Sequence, residues 1–110
     1  FERGVPQATS SGGVAYQPGS QTTPGGTRCW VTDGRAGTSA GSYDVDGGHT
    51  SLVSPLFDLA HLAQCAAAFD LWYAESTSDD ALVISVSRDG GASWSPLYSR
   101  TSSTGGWTRL

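Results

Sequence analysis

The chain has 110 residues, six basic and ten acidic, and a net charge of −4 at neutral pH with both histidines neutral. That length supports one domain with one modest core, which excludes two lobes closing around a cleft. An acidic balance with no basic run excludes nucleic acid and anionic membrane surfaces as expected partners, and no apolar stretch reaches the length of a membrane span.

In chain order, residues 1–6 form a short alternating stretch with Val5 inward, read either as the domain's own first strand or as a strand donated to a neighbour. Gly, Ser, Thr and Pro dominate residues 8–27, interrupted only by Val14, Ala15 and Tyr16, which predicts a long loop with at most one short edge strand. Residues 28–32, Arg-Cys-Trp-Val-Thr, read as a strand, and residues 33–42 as a glycine-rich surface loop. A second strand is predicted over residues 50–54, stopped by Pro55, with Leu56-Phe57-Asp58-Leu59 as an apolar corner. Residues 60–68 are the only stretch where a helical turn fits, and they are too short for a helix.

Residues 67–75 alternate Phe69, Leu71 and Tyr73 against Asp70 and Trp72, the period-2 signature of a strand. The next strand, residues 82–87, has Leu82, Ile84 and Val86 on one face and Val83 with the serines on the other. Residues 95–100 return as its hairpin partner with Leu97 inward, and residues 105–110 begin one more strand. The opening residue is Phe1 and no signal peptide is recognisable, as expected of a processed product or an excised piece of a longer chain.

The turn between the last two long strands carries Ser87-x-Asp89-x-Gly91-x-Ser93-Trp94. This spacing resembles the Asp-box, in which the acidic side chain caps backbone N–H groups, the glycines take positive φ, and the indole packs over the strands. Sialidase-like propellers repeat this box in several blades; a single copy reads as a structural staple.

Cys29 and Cys65 have no neighbouring Cys or His at metal-ligand spacing. A disulfide between them is expected, which would stabilise a small core by about 4 kcal/mol and imply an oxidising compartment. Two buried free thiols in facing strands are the other reading. Gly37-Thr38-Ser39-Ala40-Gly41 matches the nucleophile elbow, but no helix-forming run follows Gly41, as the elbow requires. His49 and His61 each lack a partner at ligand spacing and read as solvated side chains. Asp44-Val45-Asp46-Gly47-Gly48 begins like an EF-hand loop, yet Pro55 stands where the closing Glu belongs, so it reads as a turn. No catalytic constellation emerges, and a non-enzyme is expected.

The ordered set of Phe1-Glu2, Cys29-Trp30-Val31-Thr32, Tyr43 before a short acidic loop, Leu52 through Leu59, Phe69 through Tyr73, Asp80 through Ser87, and Trp107 resembles MAM-like jelly-roll domains. Similar modules follow the catalytic domains of secreted bacterial metallopeptidases of the immune-inhibitor type and occur in bacterial surface proteins. The resemblance spans residues 1–110 as one domain and implies an all-β fold, an antiparallel two-sheet β-sandwich. Such domains continue beyond the Trp107 strand, so a strand from another chain is one way to complete the sandwich. The resemblance also implies an extracellular or cell-surface location and a calcium ion tying the N-terminal strand to a loop. Its ligands would be Glu2 and Asp80, completed by Asp79 or Asp46 and backbone carbonyls.

Functionally, the reading is a non-catalytic module for adhesion or for binding glycan or protein, with Trp107 and Tyr98 offering ring faces. Trp30, Trp72 and Trp94 are assigned to packing. The alternative is a structural subunit of an extracellular filament or surface layer, assembled from copies of itself by strand donation.

Overall fold

The computed structural model describes residues 1–35, 39–45, 47–77 and 79–110. The fold is all-β: no helix occurs among the described residues, and the strands form four antiparallel two-stranded ribbons.

The first ribbon joins β1 (Glu2–Gly4) to β4 (Cys29–Val31), with Arg3 opposite Trp30. Within the single chain the N-terminal stretch pairs with β4 as a first strand. The second ribbon pairs β2 (Thr9–Ser11) with β3 (Val14–Gln17), within the segment expected to be a long loop with at most one edge strand. Gly12 and Gly13 explain the correction. Both have positive φ, 57° and 83°, as the central residues of a tight two-residue hairpin require, and the Ser11-Gly12-Gly13-Val14 signal is local.

The third ribbon pairs β5 (Asp70–Leu71) with β8 (Thr108–Arg109). Its ladder is shorter than the alternation over residues 67–75 predicts: beyond Leu71 hydroxyl groups share the pairing with the backbone, and the Thr104 N–H also donates to the Tyr73 carbonyl at 2.8 Å. Phe69 and Leu110 exchange backbone hydrogen bonds at one end. At the other, the Thr104 hydroxyl accepts from the Tyr73 N–H at 3.0 Å and donates to the Tyr73 carbonyl at 3.1 Å, and the Ser103 hydroxyl does the same for Glu75. A hydroxyl that both accepts and donates satisfies the groups that a ladder residue would otherwise pair.

The fourth ribbon, β6 (Leu82–Val86) with β7 (Ser95–Arg100), is the hairpin expected from the sequence. Leu82, Ile84 and Val86 are half-buried and Val83 is exposed, so the facing is as read; Leu97, expected inward, is exposed. By contrast, residues 50–59 belong to no sheet. A strand exists only as a partnership, and none of the described residues forms a ladder with this segment. Residues 60–68 make a turn closed by the Leu62 N–H on the Leu59 carbonyl, with the Asp58 carboxylate capping the Ala60 N–H at 3.0 Å.

Two indoles fasten the N-terminal half to the third ribbon. The Trp72 Nε1–H donates to the Tyr16 carbonyl at 3.1 Å and the Trp107 Nε1–H to the Ser20 carbonyl at 3.0 Å. Between the same partners, the Asp70 carboxylate accepts from the Thr22 hydroxyl and pairs with Arg109 at 3.0 Å.

No large apolar side chain is buried among the described residues; only Pro6 and Thr9 are buried, and Thr9 keeps 6% of its surface exposed. The molecule is flat, 49 × 34 × 21 Å, with a radius of gyration of 15.3 Å against about 13 Å for a compact chain of this length. It exposes 8129 Å², whereas a compact folded chain of its mass exposes about 5,800 Å². Exposed large apolar side chains are unevenly placed along the chain.

Candidate binding surface

The exposed apolar side chains are densest over residues 52–62 and the adjoining end of the β6–β7 hairpin. Leu56 is 83% exposed, Phe57 70% and Leu97 68%, with Val53 and Leu62 also exposed. Between this extended segment and the hairpin lies a groove of about 640 Å³, walled by Leu56, Phe57 and Leu59 on one side and by Val86, Trp94 and Leu97 on the other. A second hollow of about 470 Å³ shares Phe57, Leu59 and Cys65 with it, so the two form one surface. Its lining is mostly apolar, with Arg88 on the rim and Asp58 on the extended segment. Such a surface can exclude water from an apolar partner; it offers no converging acid, base and nucleophile.

The Asp-box turn lines the groove through Ser87, Gly90, Gly91 and Trp94. Asp89 Oδ1 accepts from the Ser93 N–H at 2.9 Å and from the Ser87 hydroxyl at 2.7 Å, Oδ2 accepts from the Ser93 hydroxyl, and Ser87 Oγ accepts from the Gly91 N–H at 2.7 Å. Gly90 and Gly91 have positive φ, 73° and 97°. These bonds, first those from Ser93 and then that from Ser87, hold the Asp89 carboxyl far below the usual carboxylate range. The Trp94 ring lies over Gly91, where an added Cβ would sit 3.8 Å from it. The staple is as the motif implies, but the indole remains 49% exposed and faces the groove. Trp30, also assigned to packing, is likewise half exposed on β4, whereas Trp72 is half-buried.

The rings expected to bind ligand lie outside this groove lining. Trp107 is half-buried, edge to face with Trp72 at 6.0 Å between centroids, and bonded to Ser20. Tyr98 is half-buried on β7 opposite Ile84. The signal for the surface residues was in the sequence as the Leu-Phe-Asp-Leu run of residues 56–59, read as an apolar corner because nothing local says whether a corner turns in or out.

The carboxylates proposed for calcium are not gathered. No group of three or more His, Cys, Asp or Glu side chains placed to hold a metal occurs among the described residues, and Asp46 lies outside them. Glu2 instead accepts the Gly34 N–H beyond β4, and Asp79 and Asp80 are exposed in the loop before β6. Beside Glu2, Asp33 grips Arg35 through both carboxylate oxygens, at 3.0 and 2.6 Å, and Arg35 lies 4.4 Å over the Tyr43 ring. The Arg35 guanidinium and N–H bonds hold the Asp33 carboxyl down to about 2.

The expected disulfide is not formed: Cys29 and Cys65 are both free. Cys29 is half-buried in the β1–β4 ribbon, which raises its thiol pKa by desolvation, while Cys65 is exposed beside Phe57 and Leu59. The two thiols belong to separate parts of the surface, so the loop-closure argument has nothing to act on. Gly37 and Thr38 of the elbow match lie outside the described residues; Ser39 sits in a turn closed by the Ser42 N–H, with no helix following. His49 and His61 are both exposed. No helix among the described residues is long and apolar enough to cross a membrane. Comparison of the chain with family models, with curated proteins and with solved structures returned no match.

Proposed function

We propose that this chain is a non-catalytic extracellular β module that binds protein through the apolar surface of residues 52–62 and the β6–β7 hairpin. The observation that carries the reading is the exposure of Leu56, Phe57 and Leu97 around one groove with no converging charged groups. Apolar patches of this kind are the mark of a protein interaction surface. A glycan reading is the weaker one, because the groove lining is mostly apolar and the Trp107 indole N–H is already bonded to the Ser20 carbonyl. The MAM-like, jelly-roll sandwich and the extracellular location remain part of the proposal on the strength of the ordered sequence fragments; cysteine pairing lends them nothing.

The test is binding of the purified chain to immobilised extended peptides of varied apolarity and, in parallel, to a glycan panel. Retention by apolar peptides, lost in Phe57→Ser with unchanged circular dichroism, supports the reading. Retention by glycans alone, unaffected by Phe57→Ser and lost in Trp107→Ala, overturns it.

A further inference from the structure

We infer that the exposed face of the β1–β4 ribbon binds a carboxylate-bearing polysaccharide, the Trp30 indole stacking on a sugar ring while Arg3 and Arg28 pair with carboxylates. This surface is separate from the groove of residues 52–62, whose lining includes none of the three.

The first observation is the state of the six arginines. Arg35 and Arg109 form ion pairs with Asp33 and Asp70, and the Arg100 guanidinium donates to the Ser102 and Ser103 carbonyls. Arg3, Arg28 and Arg88 have no partner among the described residues. Two of these three free cations stand beside one exposed indole. A guanidinium is a planar donor fork that matches a carboxylate, and in a chain of net charge −4 this pair forms a local site of the opposite sign.

Strand register puts the groups together. Arg3 lies directly opposite Trp30, so both side chains leave the ribbon on one face, with Cβ atoms about 5 Å apart. The reverse face holds Cys29 and Val31, both half-buried. Arg28 is exposed immediately before β4, two residues from Trp30, the spacing at which side chains of an extended chain share a face. The carboxylates nearest in sequence are engaged with other groups: Glu2 accepts the Gly34 N–H and Asp33 is paired with Arg35.

Trp30 is free in the same sense. Trp72 and Trp107 pack edge to face and donate their N–H groups to backbone carbonyls, whereas Trp30 is 54% exposed, with neither its N–H nor its ring engaged among the described residues. An exposed indole offers an apolar face with a polar edge, which suits the C–H face of a sugar. An acidic peptide would meet the two arginines but brings the indole no flat partner. A uronic acid supplies a C–H face and a carboxylate in one unit.

The test is retention of the full chain on immobilised polygalacturonate, with dextran as the neutral polysaccharide and polyglutamate as the acidic polypeptide, and circular dichroism of each variant. The parent should bind polygalacturonate and not dextran, and added salt should weaken binding, because exposed charges are screened. Arg3→Gln and Arg28→Gln should each weaken it by about fivefold, and Trp30→Ala by about tenfold. Arg88→Gln removes the same charge at the groove rim and should bind like the parent, as should Phe57→Ser. Arg28 lies outside the ladder, so Arg28→Gln still decides the matter if Trp30→Ala loosens the ribbon. No binding to polygalacturonate, or binding indifferent to Arg3→Gln, Arg28→Gln and Trp30→Ala, overturns the inference. So does equal binding to polyglutamate that survives Trp30→Ala, which would assign the face to an acidic protein. Retention of apolar peptides through Phe57 is read separately, so the protein-binding groove stands or falls on its own.

Discussion

Trp72 and Trp107 meet edge to face, their centroids 6.0 Å apart and their planes at 78°, and each donates its indole N–H to a carbonyl of the N-terminal half, Tyr16 for one and Ser20 for the other. Contacts between residues 56 and 87 positions apart along the chain do the work that a buried core does elsewhere. Removing one indole N–H while keeping a ring isolates its share. Trp107→Phe should destabilise the fold by about 1 kcal/mol, the usual net value of one hydrogen bond. Trp107→Ala should cost about 1 kcal/mol more by losing the aromatic pair as well. Urea unfolding measures both, and limited proteolysis should show residues 18–27 cut first in each variant.

The Asp-box turn makes a separate prediction. Gly91 holds a φ of 97°, which an L-residue seldom adopts, beneath the Trp94 ring. Gly91→Ala should therefore destabilise the chain by about 1 kcal/mol or more, even though the added Cβ would meet the Trp94 ring only at an ordinary contact distance of 3.8 Å. Hydrogen exchange should place the damage in β6 and β7 and leave the β2–β3 hairpin as protected as in the parent. Uniform loss of protection would show that the ribbons unfold as one unit instead.

These two turns also mark what the sequence could convey. The Ser87 to Trp94 spacing is local chemistry, and its geometry follows from four residues whose partners lie within the same turn. The Gly12-Gly13 hairpin was equally local and equally readable, but the surrounding Ser, Thr and Pro content pulled the reading toward a loop. Residues 50–54 have the composition of a strand; whether they join a sheet depends on a neighbour that no window of sequence contains. The same limit applies to the candidate surface. Leu56 and Phe57 look identical in sequence whether they fill a core or wait for a partner, and Trp107 looks like a binding ring until Trp72 and Ser20 are found beside it.

Acid should act on this molecule through specific carboxylates. Asp33 is held down to about 2, below the usual carboxylate range, by the Arg35 side chain and N–H, and Asp70 is lowered by Thr22 and Arg109. A carboxyl whose folded pKa is depressed contributes stability that is fully present above its unfolded pKa and is lost as pH falls through the folded value. Unfolding midpoints should stay level from neutral pH down to about 4 and then fall, with the Asp33 part gone only near pH 2. Carboxyl chemical shifts would follow each group; an Asp33 midpoint at or above 3.8 would contradict the bidentate pair.

The two thiols should differ in reactivity. Cys65 is exposed, while burial raises the Cys29 pKa and lowers its thiolate fraction at a given pH. Iodoacetamide should alkylate Cys65 first, the unreduced denatured chain should take up two equivalents, and dithiothreitol should leave the melting temperature unchanged. Uptake of none before reduction, with a melting temperature that falls on reduction, would establish the Cys29–Cys65 bridge instead.

Glu2 separates the structural role of the first strand from a metal role. Its carboxylate accepts the Gly34 N–H at the end of the β1–β4 ribbon, and a Cβ added at Gly34 would sit 2.9 Å from Oε1, so the loop is shaped around this side chain. A carboxylate that accepts a backbone N–H is worth about 1.5–3 kcal/mol when well placed, and an exposed one belongs at the low end. Glu2→Ala should lower the melting temperature equally in excess chelator and in excess calcium, because the lost bond is to the backbone. If calcium raised the parent's melting temperature and Glu2→Gln and Asp80→Asn abolished that rise, the carboxylates would be acting as ligands, since anything that binds only the folded state shifts its stability by mass action. The Gly34 contact predicts instead that Glu2→Gln, which keeps an oxygen acceptor in place, melts between the parent and Glu2→Ala, and that Asp80→Asn melts like the parent whether or not calcium is present.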